Sequence, residues 1–529
     1  MKTLLSTGAA RANDTYTVST TSISEGELVS RVAAAVLNAL EEGEYNLCAP
    51  CILCGCGNNG ADGMALAVLL KEKGLDVQMV YTGKLYQPVP VPKKLKKGEL
   101  PPEPMEPEKI GTPEPEAMSE QCRTRYEQLQ TAKIPVLTEL PEQATLYVDA
   151  VFGIGMHGAL DAKTAEIFDK VNASGLSIVS IDIPSGVYAD TGAADAHAIR
   201  AAETVTVQTL KTGLVLFPGA ALAGKITVAD VGIEQAPENT EKVCLVPEDE
   251  DADALLPVRP TRSCKATFGR VLVIAGAPGM AGAAYLAAMG AYRAGAGLVE
   301  ILTHAQNRII LQQLIPEAIV TTYFAKKGLS QTVKNAVARA DAIVIGCGMG
   351  QGKLSQLVLK TALSKATVPC VADADALRMI AAKNGLLKGV GKKQKPQVVI
   401  TPHAGEAAAL LGKKTTVDAV LADVYTAAGT LADKFGVNVL LKDACSVIRC
   451  VDGTVYVNTS GNTALATAGS GDVLAGVIGG LAAAKTNQNT VGATAALGAY
   501  LHGKAGEAAA EAVGERAAMA RDILDGLKK

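Results

Sequence analysis

Tryptophan is absent from this 529-residue chain, and aromatic residues make up only 4% of it. Its 48% apolar content therefore rests on small aliphatic side chains. With 53 glycines, this is the profile of an alanine- and glycine-rich α/β enzyme built on tight strand–helix turns. An excess of one charge is also lacking. The formal charge of −3 supplies neither the basic groove of a nucleic-acid binder nor a basic membrane face. A long apolar run is missing too. Val271 to Tyr292 carries no charge, but Pro278 and four glycines interrupt it, so it reads as strand, loop and buried helix, not as a membrane span. The opening MKTLLSTGAARANDT has one lysine and little consecutive apolar sequence. No signal peptide is expected, and the cytoplasm is the expected location.

The eleven cysteines form no framework, and an odd count points to free thiols. CAPCILCGC sets Cys48, Cys51, Cys54 and Cys56 close together, as an iron–sulfur or zinc site would require. No second cysteine pair follows at zinc-ribbon spacing. The segment reads instead as a buried strand entering a glycine turn, with Cys48, Cys54 and Cys56 on one face and Cys51 on the other.

A chain of this length exceeds one hydrophobic core and predicts two or more domains. The first half alternates strand-like runs (LCAPCILCG, DVQMVYTG, ATLYVDAVFG, LSIVSIDIPSG, ETVTVQ) with helical ones such as GELVSRVAAAVLNALEEG. Buried strands separated by crossover helices imply a parallel, Rossmann-like sheet. Between Gln87 and Glu116 the rhythm breaks. Nine of the 23 prolines fall there, and Lys93, Lys94, Lys96 and Lys97 are followed by six glutamates, as in an exposed, partly extended insertion. The polar EQAPENTEK (Glu234 to Lys242) marks a boundary, so domains are expected at 1–240 and 245–529. The second half restarts the rhythm with RVLVIAGAPG, GLVEILTH, ADAIVIGCG, VPCVADADAL, PQVVITPH, NVLLKDA and SVIRCVDGTVYVN.

Two glycine-rich loops carry the chemistry. GCGNNGADG (Gly55 to Gly63) and ATAGSGDVLAG (Ala466 to Gly476) each open a helix, where backbone N–H groups and the helix N-terminus favour an anion. In the first, Asn58, Asn59 and Asp62 set amide and carboxylate oxygens around a backbone nest, suited to a ribose, a pyrophosphate or a cation. Asp149 and Asp182 each end a strand, where parallel sheets bind ligands, although strand-end capping explains either alone. In the second loop, Asp472 is placed to take a proton from a hydroxyl attacking a phosphate. By itself it reads equally as a helix cap.

The second half carries SCKATFG, GMAGAAYLAA, RAGAGLV, IGCGMG, ADADAL, TPHAGE, LLKDACSVI, LATAGSGDVLAG and AYLHG in order. This series resembles the NAD(P)H-hydrate dehydratases of the ribokinase-like superfamily. The resemblance implies that Asp472 activates the hydroxyl of the hydrated ring, and that Ala283, Gly348 and His403 line its pocket. Lys442, Asp443, Ala444, Cys445 and Ser446 would contact the adenine nucleotide and Gly471 its phosphates, with Asn462 and Glu406 ordering phosphate or Mg²⁺. ADP is the implied co-substrate, with ATP possible. Taken alone, His403 reads as a packed or capping residue.

GCGNNGADG, VDAVFGIGMHGAL, SIDIPSGVYADTG, KTGL and PGA resemble the NAD(P)H-hydrate epimerases. That resemblance places a K⁺ site on Asn59, Asp149 and Ser185. It gives Asn58, Asn59, Gly60, Ala61, Asp62, Gly153, Ile154, Gly155, Met156, His157, Gly158, Ala159 and Asp182 to the cofactor, and makes Asp149 the first candidate for proton transfer. The chain departs from the pattern at Ser30, where the family has an acid, at Ala61 for glycine and at Gly158 for arginine. Ala61 restricts the backbone if φ there is positive.

The expected architecture is α/β in two domains: an N-terminal Rossmann-like three-layer sandwich and a C-terminal ribokinase-like α/β domain. The expected ligands are NADH-hydrate, NADPH-hydrate and ADP, with no nucleic acid or membrane partner, and a homo-oligomer follows from the family. The alternative is a ribokinase-like small-molecule or vitamin kinase fused to a non-catalytic nucleotide-binding module.

Overall fold

The structure is a computed structural model and describes residues 1–87, 110–237, 244–383, 385–388 and 397–527. Most of the proline-rich insertion and the end of the polar boundary stretch lie outside the described residues. The chain divides into two compact units, one Leu4–Glu241, the other Lys242–Lys529 with Met1–Thr3.

Strand β1 (Lys2–Leu4) opens the chain. The first unit then holds β2 (Pro50–Cys54), β3 (Gln78–Tyr81), β4 (Val136–Leu137), β5 (Leu146–Ala150), β6 (Ile178–Ile181), β7 (Glu203–Val207) and β8 (Lys225–Ala229). They form one sheet in the order β4-β3-β2-β5-β6-β7-β8, and every pairing is parallel. Period-2 burial holds for Cys51 and Cys54 as expected, whereas Cys48 lies exposed before the strand and Cys56 follows it in the turn. Ile52 and Cys54 pack with helices Glu25–Glu42 and Asn58–Glu72 on one face, while Cys51 and Leu53 pack with helix Ala162–Ala173 on the other. Helices on both faces make the three-layer sandwich. Ser24 and Asp161 begin two of these helices by accepting backbone N–H groups of the first turn.

The second unit contributes β9 (Cys244–Val246), β10 (Arg270–Ile274), β11 (Leu298–His304), β12 (Ile319–Tyr323), β13 (Ala342–Ile345), β14 (Cys370–Ala372), β15 (Val398–Ile400), β16 (Asn438–Leu441), β17 (Ser446–Arg449) and β18 (Val455–Asn458). The sheet order is β1-β9-β18-β17-β16-β15-β14-β13-β10-β11-β12. From β12 to β16 all pairings are parallel, and β17 and β18 then turn back as antiparallel strands. The expected single run SVIRCVDGTVYVN is therefore a hairpin, closed by a turn in which Gly453 has φ +93°. Val271 to Tyr292 resolves into strand, loop and helix Ala281–Arg293. Among the described residues no helix is long and apolar enough to cross a membrane. That helix packs closely on helix Ser470–Ala483 because glycines let the backbones approach: a Cβ on Gly476 would lie 2.1 Å from the Ala287 carbonyl oxygen.

Candidate functional site

In the second unit, the loops after β10, β13, β14, β15 and β16 leave the carboxyl ends of neighbouring parallel strands, where ligands of such sheets bind. Helix Ser470–Ala483 begins there from Gly469, whose φ of +91° only glycine adopts freely. Asp472 lies in its first turn. Burial, then the nearby Asp373 carboxylate, push its pKa up to about 6, against a hydrogen bond from Cys347 and the charge of Lys442. Lys442 ion-pairs with buried Asp373 at 2.9 Å. Burial alone would lower the lysine's pKa, but Asp373 and then Glu406 outweigh it and the pKa is raised. A Cβ on Gly471 would stand 3.3 Å from Lys442 Nζ and 3.5 Å from Asp373 Oδ2. The ammonium thus sits over the glycine turn, close to the helix N-terminus.

The other expected residues gather around this centre. Lys442 N–H donates to the Pro402 carbonyl at 2.8 Å, which fixes the loop after β16 beside TPHAGE. His403 caps helix Ala404–Leu411, accepting from Gly405 N–H at 3.0 Å, while Glu406 Oε2 accepts from His403 N–H at 3.2 Å. Glu406 is buried, and burial raises its pKa despite Lys442 and His403. Ala283 and Gly348 meet, since a Cβ on Gly348 would lie 2.8 Å from that of Ala283, and Gly348 has φ +54°. Asp443 to Ser446 form a tight turn, with Ser446 Oγ 3.3 Å from the Asp443 carbonyl. Asn462 instead caps the short turn Thr463–Leu465.

Sequence reasoning did not single out Asp373, Asp375, Cys347 or His502, although each lies in a quoted motif. Between the two aspartates Ala374 has φ +50°, a conformation an alanine holds only when its surroundings impose it. His502 is buried against Ser470 Oγ at 3.2 Å, and burial lowers its pKa to about 4. It is a neutral prop for the helix start.

In the first unit, the loops after β2, β5 and β6 border a cleft of ≈ 840 Å³. Asn58, Asn59, Asp62, Gly153, Ile154, Gly155 and Asp182 line it. Met156 turns inward and accepts from Gly186 N–H at 3.1 Å, whereas His157, Gly158 and Ala159 are exposed. Gly60 and Ala61 lie buried in the first turn of helix Asn58–Glu72. Ala61 is absent from the positive-φ residues, so the expected backbone conflict does not arise: the position is already right-handed helix. Gly158 does need its glycine conformation, at φ +77°.

Asp149 is fully buried and pairs with no cationic side chain among the described residues. Ser185 Oγ (2.6 Å) and Val151 N–H donate to one oxygen, Ser185 N–H (2.8 Å) and Ser180 Oγ (2.9 Å) to the other. Burial raises its pKa and these bonds pull it down, with a net rise. The residue does not line the cleft, so the geometry favours a fixed charge over proton transfer at the ring for Asp149. Asn59 Oδ1 and Nδ2, in contrast, are buried without partners, an arrangement that costs about 1–3 kcal/mol per group unless a ligand satisfies them. Asp182 has φ +68° and is buried against Lys211 at 2.6 Å. Lys211, from the quoted KTGL, also reaches Thr206 and the Val207 carbonyl.

Two glycine-turned helix starts, each at the carboxyl edge of a parallel sheet and each ringed by carboxylates, define a two-site α/β enzyme of phosphorylated ligands. Residues 271–529 match the family model of NAD(P)H-hydrate dehydratase, and residues 25–92 and 106–213 match that of the YjeF-related protein N-terminus. The bifunctional NAD(P)H-hydrate repair enzyme Nnr of Moorella thermoacetica is 37% identical over 502 residues, 90% of this chain and 86% of the relative. That of Coxiella burnetii is 31% identical over 514 residues, 96% of this chain and 95% of the relative. The chain belongs to the family of bifunctional NAD(P)H-hydrate repair enzymes. Among solved structures, an ADP/ATP-dependent NAD(P)H-hydrate dehydratase from Bacillus subtilis, co-crystallized with ATP/Mg²⁺, is 30% identical. It covers 53% of this chain and 95% of that chain, with a TM-score of 0.44.

Proposed function

We propose that the first unit interconverts R- and S-NAD(P)H-hydrate and that the second dehydrates the S form to NAD(P)H, converting ADP to AMP and phosphate. The observation that carries this reading is the place of Asp472, in the first turn of a helix whose free N–H groups receive phosphates, where burial and Asp373 push its pKa up to about 6. A base with that pKa is ionised at neutral pH yet strong enough to accept a proton as it is released. Asp472 takes the proton of the hydrate hydroxyl while that oxygen attacks the terminal phosphorus of ADP, and AMP leaves. The ring nitrogen then expels phosphate, and loss of the neighbouring ring proton restores the double bond. Ala283, Gly348 and His403 line the ring pocket, Lys442 to Ser446 hold the nucleotide, and Gly471 N–H contacts its phosphates.

Among the described residues no cluster of three His, Cys, Asp or Glu is poised for a metal ion. Mg²⁺ is commonly held by one or two carboxylates plus substrate phosphates, and when bound it would offset phosphate charge. In the first unit, the partnerless Asn59 amide and the buried, cation-free Asp149 carboxylate fit K⁺, with Ser185 as the third ligand. When bound, K⁺ neutralises Asp149. Asn58 to Asp62, Gly153 to Ala159 and Asp182 form the cofactor's bed. Eleven free cysteines suit a reducing cytoplasm, and the family suggests a homo-oligomer.

Purified enzyme, Mg²⁺ and mixed R- and S-NADH-hydrate, with ADP or ATP, test the whole scheme. Fast, complete recovery of NADH is expected, with one AMP released per NADH when ADP is supplied. A burst that stops at the S fraction removes the epimerase half. A phosphorylated product without NADH replaces the dehydratase with a kinase.

A further inference from the structure

The cleft of the first unit has a second wall, built by helix Thr7–Thr20, from which Arg11 and Asp14 face the loops after β5 and β6. The Asp14 carboxyl is largely withdrawn from water yet has no hydrogen-bond partner among the described residues. Every other aspartate of this cleft is committed or deeper. Asp182 is tied to Lys211 at 2.6 Å and accepts Ile154 N–H at 3.3 Å. Asp62 belongs to the helix behind the glycine turn. Asp14 and Asp62 thus both line the cleft without a hydrogen bond to either carboxyl among the described residues, and of the two it is Asp14 that stands on the wall opposite the glycine turn.

We propose that Asp14 is the proton-transfer residue of this cleft, passing a proton to and from the hydroxyl of the hydrated nicotinamide ring. The proposal rests on the epimerase reading above. NAD(P)H-hydrate carries its hydroxyl on the carbon bonded to the ring nitrogen. Protonated Asp14 gives its proton to that hydroxyl, the C–O bond breaks, and the nitrogen lone pair closes to C=N⁺ as water leaves. Water then adds to the planar carbon from either face and returns a proton to the Asp14 carboxylate. No oxidant or further reactant is needed, and the opposite epimer results. The surroundings suit an acid. Burial, then Asp182 and Glu25, raise the Asp14 pKa to about 6, against Lys211 and Arg11.

The test follows conversion of pure R-NADH-hydrate to the S form across pH 5–9, without nucleotide, for wild type, Asp14→Asn and Asp14→Glu. The wild-type rate is expected to fall as pH rises through about 6, because the donor is the protonated form. Asp14→Asn is expected to lose on the order of 10²- to 10⁴-fold in kcat with little change in KM, and to lose the inflection. Asp14→Glu is expected to regain part of the rate. An unchanged melting transition of the first unit in each variant shows that it has folded, and unchanged dehydration of S-NADH-hydrate shows that the second unit is intact. Fast turnover by Asp14→Asn, or a change in KM alone, overturns the proposal while leaving the epimerase reading intact. Absence of wild-type conversion overturns both.

Discussion

The two sites share a plan but keep their carboxylates in opposite states. In the second unit Asp472 is crowded by Asp373 and Asp375 and receives one weak donor, the Cys347 thiol. In the first unit Asp149 is buried more deeply, yet four donors are aimed at it. Burial raises both pKa values, and the partners decide the use. A carboxylate left short of donors is a base; one saturated with donors is a fixed negative charge suited to a resident cation. Lys442 balances the cluster around Asp472, while around Asp149 no side chain does so among the described residues. On the K⁺ reading proposed above, the partnerless Asn59 amide is where the ion would supply that balance.

The largest break in this comparison is Asp472→Asn. It removes the base while keeping the shape and an acceptor for Cys347. NADH formation should fall by about 10²- to 10⁴-fold, with R/S interconversion unchanged. Stability provides a check of sign. The folded pKa of about 6 lies above the ordinary 3.8, so ionised Asp472 costs the fold free energy once pH rises through that window. The variant should therefore be more stable than wild type at pH 8, by roughly 1–2 kcal/mol, and the difference should vanish below pH 4. A variant both inactive and less stable at pH 8 would mean that Asp472 is a structural cap.

Lys442→Met comes next. It leaves Asp373 buried without its counter-charge, a loss of about 3 kcal/mol, and removes a cation that holds the Asp472 pKa down. The acid limb of the dehydratase pH profile should move to higher pH, which a kcat profile with saturating ADP would reveal. An unshifted limb would show that Lys442 serves the nucleotide alone.

How far the sequence reached is seen best at these residues. Asp472, Gly471 and the GNNG loop were legible because the chemistry lies in one contiguous turn that a helix must follow. Asp373 and Lys442 are 69 residues apart, and Asp14 and Asp182 meet only when the N-terminal helix closes over the sheet. Pairings of that kind leave no local pattern. The strands that escaped notice, β1, β4, β8, β9 and β12, are short or lie toward sheet edges, where burial is too partial to impose a continuous apolar run. The condition on Ala61 is decided for a related reason: a glycine motif signals a turn but not which of its residues has already entered the helix.

The smallest expected effect sharpens the contrast from the other side, at a charge left without its partner. Arg125 donates to Ser30 Oγ at 2.8 Å and to the Gly26 carbonyl at 2.6 Å, and its Nε is buried with no acceptor. A cavity of ≈ 480 Å³ lined by Ser30, Ala33, Ala65 and Arg125 adjoins it, so a longer side chain has room. Ser30→Glu should supply the missing acceptor, and a carboxylate facing a guanidinium fork forms paired charge-assisted bonds. The first unit should gain about 1 kcal/mol, or about 2–4 °C in its melting transition. Because Arg125 now draws the Asp62 pKa down while burial and Asp182 raise it, neutralising the guanidinium should also shift the pH dependence of ligand binding in the cleft upward. A melting transition that stays put or falls would show that Arg125 already satisfies itself, and that the cavity, not the missing acid, sets the stability of this helix pair.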